Sequence, residues 1–409
     1  MKHKGLLPIL VAALTVVPGV VIRLAGIELP PPQMTLVSGM AILGASFLLL
    51  WACDAFQVDF SQTLALAVVA LIAVLPEYAV DMYFTWMAGK HPEGEYAHWA
   101  IANMTGANRL LIGVAWGMIA AVYWFRFGRE VRLEKERRTE LLFLGMATAY
   151  AFLIPIKGSL AWYDGIVLLG IYVWYMVIAS RRPATEFEAE GPAMLLVSLP
   201  KIQRRLATVA MFLYAAGGIL ANAEPFCEGL IATGEVLHIP PFLLMQWLAP
   251  IASEAPEFVV ALVFVWRGRA GMALGSLISS KLNQWTLLVG MIPGVFAVSH
   301  GSLDHPLPMD SLQMHEIFLT AAQSLMAVVL LASMRLGLGG AILLFVLFSG
   351  QLVLPSIVKA YPSWFFGLTP EQIHPLFSAF YVVVAAALFL RRPSAFYRLG
   401  GGLRAEEEA

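Results

Sequence analysis

Four carboxylates set in two apolar runs carry the chemistry open to this chain. Glu77 and Asp81 stand at i and i+4 in AVLPEYAVDMYF (73–84), and Glu254 and Glu257 at i and i+3 in SEAPEFVVALVF (253–264). On a helix, those spacings put each pair on one face. A carboxylate inside an apolar span is costly, and by default it marks an ion pathway. Pro76 and Pro256, each just ahead of a Glu, remove a backbone hydrogen bond, tend to kink the helix, and free a carbonyl about one turn earlier. Carboxylates with free carbonyls are hard oxygen donors suited to calcium or sodium.

The elements that position these groups come as a repeat. Glu257 follows Glu77 by 180 residues, and the same interval pairs Pro76 with Pro256, Tyr78 with Phe258, Val80 with Val260 and Phe84 with Phe264. Further on, ANMTGANRLLIGVAWG (102–117) aligns with GSLISSKLNQWTLLVG (275–290) at an interval of 173. The seven extra residues of the first half fall in GKHPEGE (89–95), a loop by composition.

Composition places the repeat in a membrane. The 409 residues are 59% hydrophobic and 13% charged, with a formal net charge of -1 and a mean hydropathy of +0.76; this leaves no room for a large soluble domain. Twelve stretches reach the length of about 20 apolar residues that a bilayer span needs: 6–24, 34–56, 62–88, 97–125, 140–156, 160–180, 205–236, 241–266, 270–296, 313–333, 336–358 and 373–391. With both ends inside, the inner segments hold 20 of the 26 Lys and Arg, as positive-inside orientation demands. Only Arg23, Lys90, Lys157 and Lys359 lie outside, and Arg109 and Lys281 fall within spans.

The third and eighth spans, which carry the Pro-Glu steps, therefore cross in opposite directions. The expected fold is an all-α integral membrane protein of about 12 helices: two inverted five-helix repeats with a flanking helix at each end. Its divisions are an extra helix (1–33), a first repeat (34–180), a cytoplasmic linker (181–204), a second repeat (205–358), and a last helix with a cytoplasmic tail (359–409). Inverted repeats suit alternating access around a site near the midplane. MKHK with its following apolar run also fits a signal peptide, but the run is long and an uncleaved helix satisfies the charge count. Cys53 and Cys227 both fall in spans, so no disulfide framework is expected.

These segments resemble the two alpha repeats of the cation/calcium exchanger superfamily, which includes the sodium/calcium exchangers. The second half carries Ser253, Pro256, Glu257, Ser280, Gln284 and Gly290 at the family's hydroxyl, Pro-Glu, Ser, amide and Gly positions. The first keeps Pro76, Glu77, Gly106, Asn108 and Gly117. Ala73 and Val74 replace hydroxyls, Ala107 and Leu111 replace a Ser and an amide, Lys281 replaces an Asn, and Arg109 follows Asn108.

The resemblance implies a secondary cation antiporter, not an enzyme, with calcium exchanged for sodium as the family default. Glu77 and Glu257 would be the central ligands, with Glu254 the third carboxylate on the metal and Asp81 adding charge. Ser253, Ser280, Gln284, Asn103 and Asn108 would supply neutral oxygens, and Lys281 and Arg109 charge balance or gating. If all six charged groups face one cavity, about two negative charges remain, met by one calcium, two sodium ions or two protons. Closely paired buried groups titrate together, so sodium or calcium exchange against protons is the near alternative. A transport-inactive subunit on the same fold is another, favoured by the two basic residues.

The remaining features read more plainly. Glu224 and Glu228 either line the pathway or support packing of the seventh helix. The Gly and Ala of 270–275 allow close helix packing. His300, His305 and His315, in an outer loop or at its edge, form no convincing metal site, and the run 126–138 reads as a solvated helix end or a lipid-facing cytoplasmic patch. No phosphate-binding Gly-rich loop occurs. The expected partners are the lipid bilayer and inorganic cations, calcium, sodium or protons, with no cofactor and no nucleic acid. The expected location is the cell membrane, and the sequence leaves the oligomeric state open.

Overall fold

Apolar runs bounded by Gly, Pro and charged turns fold as helices throughout the computed structural model, which describes residues 5–59, 72, 74–181, 189, 191–365 and 367–400. In chain order these are α1 (Leu6–Ala25), α2 (Pro31–Gln57), α3 (Leu75–Lys90), α4 (Tyr96–Leu110), a π-helical turn π1 (Leu111–Trp116), and α5 (Gly117–Phe127). A short strand β1 (Val131–Arg132) precedes α6 (Arg137–Ala151), α7 (Leu153–Lys157), α8 (Trp162–Ser180), α9 (Ala193–Val197), α10 (Lys201–Leu237) and α11 (Pro241–Trp266). The chain continues through α12 (Ala270–Asn283), π2 (Gln284–Leu288), α13 (Val289–His300), α14 (Ser311–Leu331), β2 (Arg335–Leu336), α15 (Leu338–Ala360), a 3-10 turn (Pro362–Phe365), α16 (Pro370–Arg391) and α17 (Pro393–Leu399).

Local chemistry sets several boundaries. Gly128 ends α5 in the left-handed conformation (φ 65°), which only a residue without Cβ adopts cheaply. Asp310 and Gln313 form a capping box at the start of α14, and Thr369 and Gln372 do the same for α16. Among the described residues, eleven helical segments are long and apolar enough to cross a membrane, so the protein is multi-pass and all-α. The expected third span (62–88) is described from residue 72 on except residue 73, and α3 is its described helix; Ala73 and part of the linker (182–188 and 190) lie outside the described residues.

The chain divides into two compact units, residues 1–87 with 179–257 and residues 88–178 with 258–409. In the first, α2 packs along α10 and α1 against both. Small residues bring the axes close: Gly44 lies against Thr15, Gly218 against Val16, and Gly229 against Thr35. Thr35 and Thr233 share a hydrogen bond of 2.9 Å across the same seam. The core centres on Leu48, Leu49, Trp51, Ala52, Ala215 and Ile219.

In the second unit, α14 packs on α4, α6 and α16, and α15 on π1, α5 and α16. Gly165 and Gly290 touch backbone to backbone; a methyl at Gly165 would sit 2.5 Å from the Gly290 carbonyl. Gly271 and Gly275 of α12 are approached by the Arg132 carbonyl and the Arg137 side chain, the close packing expected of 270–275. The two π turns open at Leu111 and Gln284, the same interval of 173 that aligns the flanking motifs. A π turn shifts the backbone ladder by one residue and leaves a carbonyl for another donor.

Candidate cation site

The first unit holds the carboxylates. Glu77 opens α3 and Asp81 follows one turn later; both are buried, as are Ser253 and Glu254 on α11, while Glu257 is half-buried. Pro256 lies inside α11 together with Pro250, so that helix lacks two backbone bonds along the stretch carrying the acids. Pro76 is the second residue of α3 as described, a position where the missing N–H is an orphan anyway. Ser253 Oγ donates within its own helix to the carbonyls of Ala249 (3.3 Å) and Pro250 (3.2 Å).

The neighbourhood adds acids that spacing did not show. Asp54, next to Cys53 on α2, and Glu257 both act electrostatically on the Cys53 thiol, and Glu228, Asp81 and Glu224 act on that of Cys227. Both cysteines are buried free thiols. Glu228 accepts from the Tyr83 hydroxyl at 2.6 Å, tying α10 to α3, and Glu224 pairs with Arg23 at 2.6 Å in a partly exposed position. Those contacts favour the packing role for the Glu224 and Glu228 pair. Among the described residues, no three His, Cys, Asp or Glu side chains converge as a metal site.

The second unit holds the amides and the two buried cations. Asn103, Asn108, Ser280, Gln284, Lys281 and Arg109 are all buried. Lys281 Nζ donates to Asn108 Oδ1 at 2.7 Å and stands 4.4 Å above the Trp285 ring, an arrangement in which the π face and the carboxamide oxygen both stabilise the ammonium. Asn108 Nδ2 in turn donates to the Met104 carbonyl at 2.7 Å, which fixes the amide's orientation. Asn108 thus presents its oxygen to the Lys281 ammonium.

Arg109 is ion-paired to Glu316 on α14, a carboxylate that the spacing argument did not include. The other oxygen of Glu316 lies 3.1 Å from His374 Nδ1 on α16. Behind the pair, Gln323 Nε2 donates to the Arg109 carbonyl at 3.3 Å, and Gln351 Nε2 to Gln323 Oε1 at 3.4 Å. The carbonyl ahead of π1 thus has a side-chain donor. The signal for Glu316 in the sequence was a lone carboxylate in the apolar run 311–331, which names no partner. His315, one residue before it, lies within α14 and is half-buried.

Comparison with known proteins assigns this fold to a family. The sodium/calcium exchanger protein family matches twice, at residues 31–181 and 207–356, leaving α1 and α16 as flanking helices. A crystal structure of an H+/Ca2+ exchanger, CAX, is 38% identical, covers 99% of this chain and 98% of its own, and superposes with a TM-score of 0.91. The sodium–calcium exchanger NCX_Mj, at 20% identity and a TM-score of 0.52 over 79% of this chain and 97% of its own, shares the fold. An uncharacterized membrane protein of Methanocaldococcus jannaschii is 26% identical over 60% of this chain and 72% of its own. Two matched halves, full-length likeness and the repeated Pro-Glu helices agree: the chain belongs to the sodium/calcium exchanger family.

Proposed function

We propose that this protein is a secondary antiporter that carries calcium by alternating access and couples it to protons. The observation that carries the choice of coupling ion is the Lys281–Asn108 bond: an amide oxygen of the kind a sodium ion needs is held by a fixed ammonium. The full-length similarity to an H+/Ca2+ exchanger supports the same reading. Glu77 and Glu257 are the central cation ligands, with Glu254 and Asp81 adding charge and Ser253 a neutral oxygen. Buried carboxylates release calcium when they take up protons, so one set of groups serves both ions in turn.

Sodium coupling is the second reading. It is favoured by the neutral oxygens that the second half retains at Ser253, Ser280 and Gln284. The repeats 34–180 and 205–358 exchange inward and outward geometries, and the Lys and Arg distribution supports cytoplasmic termini in the cell membrane.

The test is calcium uptake into proteoliposomes under an imposed proton gradient or an outward sodium gradient, with Glu257→Gln and Glu77→Gln alongside. Uptake driven by the proton gradient and lost in both variants is the expected result. Uptake driven by sodium alone transfers the coupling to the second reading, and no flux under any gradient makes the protein a transport-inactive subunit on this fold.

A further inference from the structure

A buried ion pair is complete with two members, yet Arg109 and Glu316 have a third. Arg109 and Glu316 are 1% and 0% exposed, while His374, the group on the other Glu316 oxygen, is 16% exposed. The three side chains come from three helices, α4, α14 and α16. Guanidinium keeps its charge at any physiological pH. Imidazole changes its charge near neutrality. His374 Nδ1 stands 3.1 Å from Glu316 Oε1, so a proton gained by the neutral ring places a positive charge against that carboxylate oxygen.

We propose that His374, Glu316 and Arg109 form a proton-binding site of their own, apart from the Pro-Glu carboxylates, in which proton uptake at His374 loosens the hold of Glu316 on Arg109. One N–H bond forms on the unprotonated ring nitrogen as one O–H bond of hydronium breaks and leaves water, and no other bond changes. Before uptake, one negative charge faces one positive charge. Afterwards a single carboxylate is shared between two cations that repel each other, and the share of the guanidinium weakens.

Arg109 lies in the last turn of α4, beside Asn108 and just ahead of π1. Its release is therefore felt at the Lys281–Asn108 bond within one residue. Gln323, two turns along α14 from Glu316, holds the Arg109 carbonyl, so the backbone stays anchored while the side chain is freed. The charged and titratable groups facing His374 are Glu316 and His315 from α14 and Arg109 from α4. The one charged residue of α15, Lys359, lies instead near Glu371 on α16.

The inference rests on the proposed antiport only for its use in transport, and its test needs no flux, so failure of the two can be told apart. Ring-nitrogen NMR of the full-length protein with 15N-labelled histidine, from pH 5 to 9 in micelles, follows the His374 signal, identified by its loss in His374→Gln. The site predicts titration within that range and about tenfold less ready protonation in Glu316→Gln, which removes the anion. Hydrogen exchange over residues 104–116, corrected for intrinsic pH dependence, is expected to quicken severalfold between pH 8 and pH 6 in the wild type and not in His374→Gln. The latter variant keeps the buried pair intact, so it reads out even if Glu316→Gln fails to fold. A His374 that does not titrate, or the same acid-induced exchange in both proteins, overturns the proposal.

Discussion

Lys281 donates to Asn108 at 2.7 Å, and the two residues are 173 apart, the interval that brings the second motif onto the first. The same helix position of each half thus meets its own counterpart, and the two carry different chemistry there: an amide in one half and an ammonium in the other. A symmetric site would bring two oxygens to that point. This one brings an oxygen and a fixed charge, and the Trp285 ring covers the charge.

Breaking that contact from its two sides is expected to give unequal losses. Asn108→Leu leaves a buried ammonium one acceptor short and is expected to cost about 2 kcal/mol, the range for hydrogen bonds to charged groups. Lys281→Met removes the charge and fills the space, and is expected to cost about 1 kcal/mol. Thermal unfolding of both variants in one detergent checks the order; equal losses would mean that the amide does not support the charge.

The Arg109–Glu316 pair is expected to behave as a buried ion pair. Glu316→Gln leaves a buried guanidinium uncompensated, for a loss of about 3–5 kcal/mol. Replacing both partners by methionine should recover much of that loss, since two apolar groups need no compensation. A double variant as unstable as the single one would argue against electrostatic compensation as the role of the pair.

Gln323→Leu should act on π1 rather than on the charges. It removes the donor to the Arg109 carbonyl, and an unsatisfied buried carbonyl costs about 1–3 kcal/mol. Amide hydrogen exchange over 109–116 is the direct readout, and it should quicken there before it does in α5. Unchanged protection would show that the carbonyl has another donor.

Acid dependence is expected at a different place, just beyond α2. Asp59 accepts from Arg204 Nε (2.8 Å) and Nη2 (2.6 Å), and this hydrogen bonding, aided by the charges of Arg204, Arg205 and Lys201, holds its carboxyl below the usual carboxylate range against the opposing effect of burial. A depressed native pKa gives stability that is full above the unfolded value and is lost as pH falls through the native one. Wild-type stability should therefore decline on acidification below about pH 4, and Arg204→Met should remove that part of the decline. Parallel stability curves from pH 7 to pH 3 would rule out the contribution.

Much of the fold could be read from runs and intervals. Apolar stretches of span length gave the helices that the structure describes, and the interval of 180 located both Pro-Glu helices; the π turns, though they repeat at 173, went unread because LIGVAW and QWTLL carry no local mark of them. Arg109, read from the sequence as charge balance or gating, is ion-paired to a partner 207 residues away on a helix with no motif. Pairing between elements distant in sequence is set by packing, and packing leaves no spacing to count. Asp54 escaped notice for the same reason, since its relation to Glu257 arises only when α2 and α11 are brought near one thiol.

The short backbone pairings have a mechanical consequence. Val131 and Arg132 pair antiparallel with Leu336 and Arg335, and Leu160 bridges Leu307 in the same sense at the far end of α6 and α7. Each stitch joins a loop of the first repeat to a loop of the second, so the second unit is laced at both ends. Sliding one half past the other would tear main-chain hydrogen bonds at two places at once. The loops at both ends of this unit are therefore fixed to one another by main-chain bonds as well as by side-chain packing.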